Sequence, residues 1–260
     1  MLEVVPVKAF HDNYLWLFRQ EGTRACGIVD PGDAAPVLDY LSANNLELNA
    51  ILITHHHADH TGGITTLLEK FDVPVYGPDS PNIPTITQKL KEGDSINVFG
   101  ATFGVLEIPG HTMDHIAYYL QEDEQQAPLL FCGDTLFAGG CGRVFEGTPA
   151  MMHASLQKLA SLTPNTKVYC AHEYTMANLS FASAVTPDDK VLLERKNHEQ
   201  EKRDQDIPTV PTSIRVELDT NPFLRCDDNA LKQAAENHSG RKLGTAEEVF
   251  AVIRGWKDSF

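Results

Sequence analysis

The segment Ala50-Ile-Leu-Ile-Thr-His-His-His-Ala-Asp-His60 carries four side chains whose types and spacing suit metal ligation: His55, His57, Asp59 and His60. An apolar strand ends at Thr54, and Thr61-Gly-Gly63 leads into a helical pattern. Residues two apart in extended chain face one side, so His55 and His57 can grip one ion. The turn into the helix then aims Asp59 and His60 at a neighbouring position. Imidazole nitrogens with carboxylate oxygens suit zinc first, and iron or manganese as well. A solvated histidine-rich loop would need neither the aspartate nor the strand-to-helix frame. His56, between two ligands, should point the other way and serve packing or the orientation of its neighbours.

Three more candidates follow other apolar runs. His111 lies in Pro109-Gly-His-Thr112, Asp134 in Phe131-Cys-Gly-Asp-Thr135, and His172 in Cys170-Ala-His-Glu-Tyr174. Ligands at several strand ends collect along one sheet edge, where α/β proteins build sites. His55, His57, Asp59, His60, His111, Asp134 and His172 are too many for one tetrahedral ion but suit two divalent ions sharing a carboxylate. The expected division gives His55, His57 and His111 to one ion and Asp59, His60 and His172 to the other, with Asp134 bridging. His115 reads as an orienting or structural residue. His11, His153, His198 and His238 read as surface or packing histidines.

The elements that must position these groups follow from hydrophobic periodicity. Strands are expected over 4–7, 14–18, 26–29, 50–53, 73–76, 103–108, 116–120, 129–131 and 167–170, with helices over 34–43, 63–71 and 149–162. Pro149 after Thr148 is a helix-start signal. Beyond Tyr174 the pattern turns helical: 176–185, a charged helix to about 205 with Thr186 as its N-cap, and a last helix over 245–256. This predicts an α/β body over 1–173 followed by a helical region over 174–260.

Composition narrows the partners. The chain has 260 residues and a formal net charge of -15, which opposes nucleic acid because phosphate binding needs a basic face. Its apolar runs are too short to span a bilayer, and the first residues lack the pattern of a signal peptide. Five scattered cysteines (Cys26, Cys132, Cys141, Cys170, Cys226) suit reduced, buried thiols. A monomeric cytoplasmic protein acting on a small molecule is expected, with no nucleic-acid or membrane partner.

The string Thr54-His-His-His-Ala-Asp-His60 resembles the T-H-x-H-x-D-H motif of the metallo-β-lactamase superfamily. Within it, Phe131-Cys-Gly-Asp-Thr-Leu-Phe137, Gly139-Gly-Cys-Gly-Arg-Val-Phe-Glu-Gly-Thr148 and Ala171-His-Glu-Tyr-Thr175 are similar to the glyoxalase II (hydroxyacylglutathione hydrolase) family. The same holds for Ala9-Phe-His-Asp-Asn-Tyr14 and Arg254-Gly-Trp-Lys-Asp-Ser-Phe260. The resemblance runs from end to end. It implies an αββα sandwich with a binuclear site and a C-terminal helical domain that helps bind glutathione. It also implies hydrolysis of S-D-lactoylglutathione to glutathione and D-lactate by a water ionised between two metals, the second step of methylglyoxal detoxification. Asp59 would orient that water and Asp134 would bridge the ions. The glutathione-contacting positions map onto Arg143, Phe145, Tyr174, Arg254 and Lys257. Two of them depart from the family's common residues, Tyr at 145 and Lys at 143, and Asp114 stands where a small residue is usual.

Glutathione thioesters are net anionic, so an acidic chain must meet them with local cations; Arg143, Arg254 and Lys257 are suitable donors. Rival readings are a lactonase, a β-lactamase, a tRNA-processing nuclease, an iron-dependent redox member of the same fold, or a non-catalytic metal-binding module. The missing signal peptide opposes the β-lactamase and the acidic charge opposes the nuclease. The Arg254/Lys257 pair separates the thioesterase from a lactonase. A complete histidine set opposes the redox member, and seven ligands with an anion pocket exceed what a binding module needs.

Overall fold

Every residue from Asn13 to Phe18 is buried, which a strand achieves only when both of its faces are covered. The computed structural model, which describes residues 1–122 and 126–260, shows how. Contacts divide the chain into two compact units: Met1–Glu107 with Asp114–Gly133, and Ile108–Met113 with Asp134–Phe260.

In the first unit, one sheet takes the order β1 (Leu2–Ala9), β2 (Asn13–Gln20), β3 (Ala25–Val29), β4 (Glu47–Leu52), β5 (Val75–Pro78), β6 (Gln88–Leu90). β1 to β3 pair antiparallel and β3 to β6 parallel. The helices α1 (Ala34–Asn44), α2 (Ala58–Thr61) and α3 (Ile64–Leu68) follow β3 and β4. Leu15 and Leu17 of β2 join Ile28, Ile51, Val37, Leu41, Ile64 and Leu67 in one apolar cluster, which seats α1 and α3 on one face of the sheet. Phe18, alternating to the other face, meets Phe103 and Phe131 at ring centroid distances of 5.7 Å. Those rings belong to a second, antiparallel sheet: β7 (Ser95–Val98), β8 (Ala101–Glu107), β9 (Ile116–Leu120) and β10 (Leu129–Gly133). Tyr118 ties the two sheets, donating from its hydroxyl to the Ile53 carbonyl at 2.8 Å. The layering is helix, sheet, sheet.

The second unit holds the hairpin of β11 (Leu136–Phe137) and β12 (Gly140–Cys141), the antiparallel pair of β13 (Lys167–Cys170) and β14 (Thr212–Ser213), and six helices. These are α4 (Pro149–Ala160), α5 (Thr175–Val185), α6 (Lys190–Asp204), α7 (Ile214–Thr220), α8 (Asn229–Ser239) and α9 (Ala246–Asp258). Thr148 caps α4 with Pro149 in its first turn, as expected. Thr245 and Glu248 form a reciprocal capping box at the start of α9.

Several local expectations differ from what the structure shows. Thr186 closes α5, its amide still bonded to the Ala182 carbonyl, while Asp189 caps α6 by accepting from the Leu192 amide. Pro187 helps to end α5 at Thr186, because the residue before proline is pushed out of the helical region, and the start of α6 is set by the Asp189 cap. Asp59 and His60 lie on the single-turn helix α2, with His57 as its N-cap, rather than in a loop. β6, β7, β14, the β11–β12 hairpin, α7 and α8 were not foreseen. The strands are too short to show a period, as in Gln88-Lys89-Leu90, and α7 has only seven residues, whereas α8 does carry an amphipathic pattern, with Leu231 and Ala235 buried. Among the described residues no helix is long and apolar enough to cross a membrane, and all five cysteines are buried and free.

Candidate metal centre

The 50–60 segment is held at its strand end by a buried carboxylate. Asp30 follows β3 in a left-handed conformation, φ 50°, and accepts from the Thr54 amide and the Thr54 hydroxyl, both at 2.7 Å. A hydroxyl has one proton, so Thr54, having given it to Asp30, accepts from His55 Nδ1 at 3.0 Å. That places the His55 lone pair on Nε2, which lies 3.2 Å from His57 Nδ1. Asp30 Oδ2 also stands 3.0 Å from His60 Nδ1, and His60 Nε2 stands 3.5 Å from Asp59 Oδ2. Asn13 donates to that same Asp59 oxygen at 3.1 Å. Ring nitrogens oriented in this way by outer partners are the usual furniture of metal sites. His115 stacks on His55, centroids 4.5 Å apart and 13° between planes, and its Nδ1 faces the Ile116 carbonyl. His56 turns away as expected and meets Asp114 at 3.0 Å, which gives Asp114 a partner that its position in the sequence did not reveal.

The second unit contains His111, Asp134 and His172. His111 Nδ1 donates to the Arg143 carbonyl at 2.8 Å, so the neutral ring carries its lone pair on Nε2. That nitrogen faces Asp134 Oδ2 at 3.4 Å, and His172 Nε2 faces Asp134 Oδ1 at 3.4 Å. The His111 lone pair and a carboxylate oxygen meeting in a buried place suit a cation held between them. Each oxygen of one carboxylate is thus turned to a different histidine. Chain packing around it is tight: a Cβ on Gly142 would sit 1.9 Å from the Asp134 carbonyl oxygen and 3.2 Å from His111 Nδ1. Gly142→Ala should therefore displace Asp134. We expect it to lower metal affinity and kcat/KM by about 10- to 100-fold, the effect typical of disturbing groups that support ligands, as measured by titration with metal and by steady-state kinetics.

The cationic residues gather around a carboxylate that the sequence did not single out, Asp258. Arg143 Nε and Arg254 Nη2 each donate to Asp258 Oδ1 at 3.1 Å. Arg254 is buried, donates from Nη1 to the Cys141 carbonyl at 2.9 Å and stacks on Phe223. It thus braces the β11–β12 hairpin. Lys257 lies over the Phe181 ring at 5.5 Å. Burial, reinforced by the neighbouring Arg254 charge, pushes its ammonium below the ordinary lysine pKa. Phe145 is exposed and packs edge-on to His111, and Tyr174 stacks flat on His172 at 4.7 Å. Of the remaining histidines, His153 packs on Phe250 and His238 stacks on Trp256. Asp30 could have been found by the rule that picked out Asp134, since Val29-Asp-Pro-Gly32 also places an acid just past an apolar strand. Asn13 and Asp258 carry no local signal of that kind.

Comparison with known proteins agrees with this chemistry. The model of the metallo-β-lactamase superfamily matches residues 12–172, and that of the hydroxyacylglutathione hydrolase C-terminus matches 173–260. Hydroxyacylglutathione hydrolases of Pseudomonas paraeruginosa and Nitrosomonas eutropha are 50% and 52% identical to the chain, with all of each chain covered. Among solved structures, ETHE1 from Myxococcus xanthus superposes with a TM-score of 0.67 at 24% identity, over 98% of this chain and 91% of that one, a likeness of fold. These matches, over the whole length of a chain carrying the ligand-type residues described, show that it belongs to the hydroxyacylglutathione hydrolase family of the metallo-β-lactamase superfamily.

Proposed function

We propose that this chain hydrolyses S-D-lactoylglutathione and related 2-hydroxyacyl glutathione thioesters to glutathione and the free acid, at a binuclear metal centre. The full-length identity of about half with proteins named hydroxyacylglutathione hydrolase supports the activity. The observation that carries the site is Asp134, whose two oxygens face His111 and His172. His55, His57 and His111 would hold one ion, Asp59, His60 and His172 the other, and Asp134 both. When bound, two divalent ions would supply Lewis acidity and a water that ionises near neutral pH. Zinc fits the donors, as do iron and manganese.

The chain's own residues do the rest. Asp30 and Thr54 keep the proton of His55 on Nδ1, and the Arg143 carbonyl does the same for His111. Asn13 orients the Asp59 carboxylate, whose other oxygen can accept from the attacking water. The bond from acyl carbon to sulfur breaks to release a thiolate, a leaving group stable enough that no strong general acid is needed. In this reading residues 1–173 carry the metal ligands, 174–260 complete the glutathione site, and Arg143, Phe145, Tyr174 and Lys257 contact the thioester. Arg254 lends charge from behind. The charge of -15 and the five free thiols support a cytoplasmic monomer acting without nucleic acid or membrane.

The test combines elemental analysis of the purified protein with hydrolysis of several glutathione thioesters and a lactone, before and after chelation. About two ions per chain and chelator-sensitive cleavage of the glutathione thioesters are expected. Preference for the lactone would refute the assignment. Lys257→Ala should raise KM for the glutathione thioester about tenfold, equivalent to ~1.4 kcal/mol, with kcat nearly unchanged. Arg254→Ala is a poorer probe, because it also frees the Cys141 carbonyl.

A further inference from the structure

The cationic patch already contains an anion. Asp258 Oδ1 accepts from Arg143 Nε and from Arg254 Nη2, both at 3.1 Å. The two contacts are unlike. Arg254 is 6% exposed and keeps a second anchor on the Cys141 carbonyl, so its place does not depend on Asp258. The Arg143 side chain is 55% exposed, and its one hydrogen bond among the described residues is to Asp258. Lys257, the neighbour in sequence, lies over the Phe181 ring and feels the charges of both Arg254 and Asp258. Two arginines therefore hold one aspartate at the end of α9, with the Lys257 charge nearby, where a carboxylate of an anionic ligand would also be drawn.

We infer that Asp258 is a built-in competitor for the substrate's carboxylate: the incoming anion takes over Arg143 from Asp258, while Arg254 stays put. This rests on the glutathione reading above and adds a residue that sets substrate affinity rather than rate. It makes Asp258 a specificity-determining position. An uncharged thioester has nothing to exchange for the Arg143 contact and gains nothing from the patch. An exposed ion pair is weak, so the cost of displacing it is small and the effect is a matter of several-fold.

Asp258→Asn keeps the shape and removes the charge. KM for the glutathione thioester should fall about three- to fivefold, the range of an exposed pair, with kcat unchanged. KM for an N-acetylcysteamine thioester, which has no carboxylate, should stay constant. Binding of glutathione itself, followed by calorimetry, should tighten by the same factor and become steeper in its dependence on salt. Asp258→Glu, which restores the charge, should return towards the unsubstituted affinity. A rise in KM and weaker glutathione binding in Asp258→Asn, at unchanged melting temperature, would show that Asp258 positions Arg143 instead and would overturn the inference. So would equal changes for both thioesters. The calorimetric arm separates this failure from failure of the functional reading, since no binding of glutathione by the unsubstituted protein would strike the latter.

Discussion

Asp134→Ala is expected to empty both metal positions together, lowering bound metal from about two ions per chain to well below one and kcat/KM by more than ~100-fold. Loss of supporting groups costs 10- to 100-fold in metal sites, and Asp134 is more than a supporting group. Its Oδ2 faces His111 Nε2 and its Oδ1 faces His172 Nε2, each at 3.4 Å. If it is the shared ligand proposed above, removing it would take one ligand from each ion and the charge that both would share. Asp134→Asn keeps the shape and one acceptor oxygen, so it should retain more metal than the alanine variant while still losing most activity. Elemental analysis beside steady-state kinetics reads both effects. Full metal content with an undiminished rate in Asp134→Ala would remove Asp134 from the centre.

The largest effect on stability should come from Glu217, which lies far from any ligand in sequence. It is fully buried, and its Oε1 meets Arg195 Nη2 at 2.6 Å. Its Oε2 accepts from the Gly139 amide at 2.8 Å and from Asn221 Nδ2 at 2.9 Å. Asn221 in turn donates to the Phe137 and Gly140 carbonyls. Helix α7 thus grips the β11–β12 hairpin that runs from Asp134 towards Arg143. Glu217→Ala leaves Arg195 charged and buried without its counter-ion, and breaking such a pair costs about 3–5 kcal/mol. Urea unfolding should show that loss. Replacing both partners, Arg195→Met with Glu217→Leu, should recover part of it, because the uncompensated charge is gone. A change below about 1 kcal/mol in Glu217→Ala would mean that the hairpin is held by other contacts.

The same hairpin shows how unevenly a sequence reports its own structure. Strand β2 and the segment from β4 to α3 are legible because burial leaves a local apolar run in each. Leu15 and Leu17 alternate with Trp16 and Phe18, and the apolar run before Thr54 breaks abruptly into polar residues. The nature of the candidate site was equally open, since histidines and aspartates at strand ends declare their chemistry one loop at a time. Thr186 and Asp189 are both good N-cap residues, and the fold uses the second; the two-residue strands show no period at all.

By itself, the order of residues determined the α/β class with its helical tail, the donor types and their spacing, and the cationic character of positions 143, 254 and 257. Only the tertiary structure decided which nitrogen of each ring is turned to its neighbours, since that is set by partners remote along the chain: Asp30 for Thr54, and Arg143 for His111. It also decided that Arg254 braces a hairpin while Arg143 stays exposed, and that Asp258 stands between them. The physical reason is range. Periodicity and side-chain chemistry act over a few residues, whereas a buried hydrogen bond is chosen by whichever donor and acceptor the folded chain brings together.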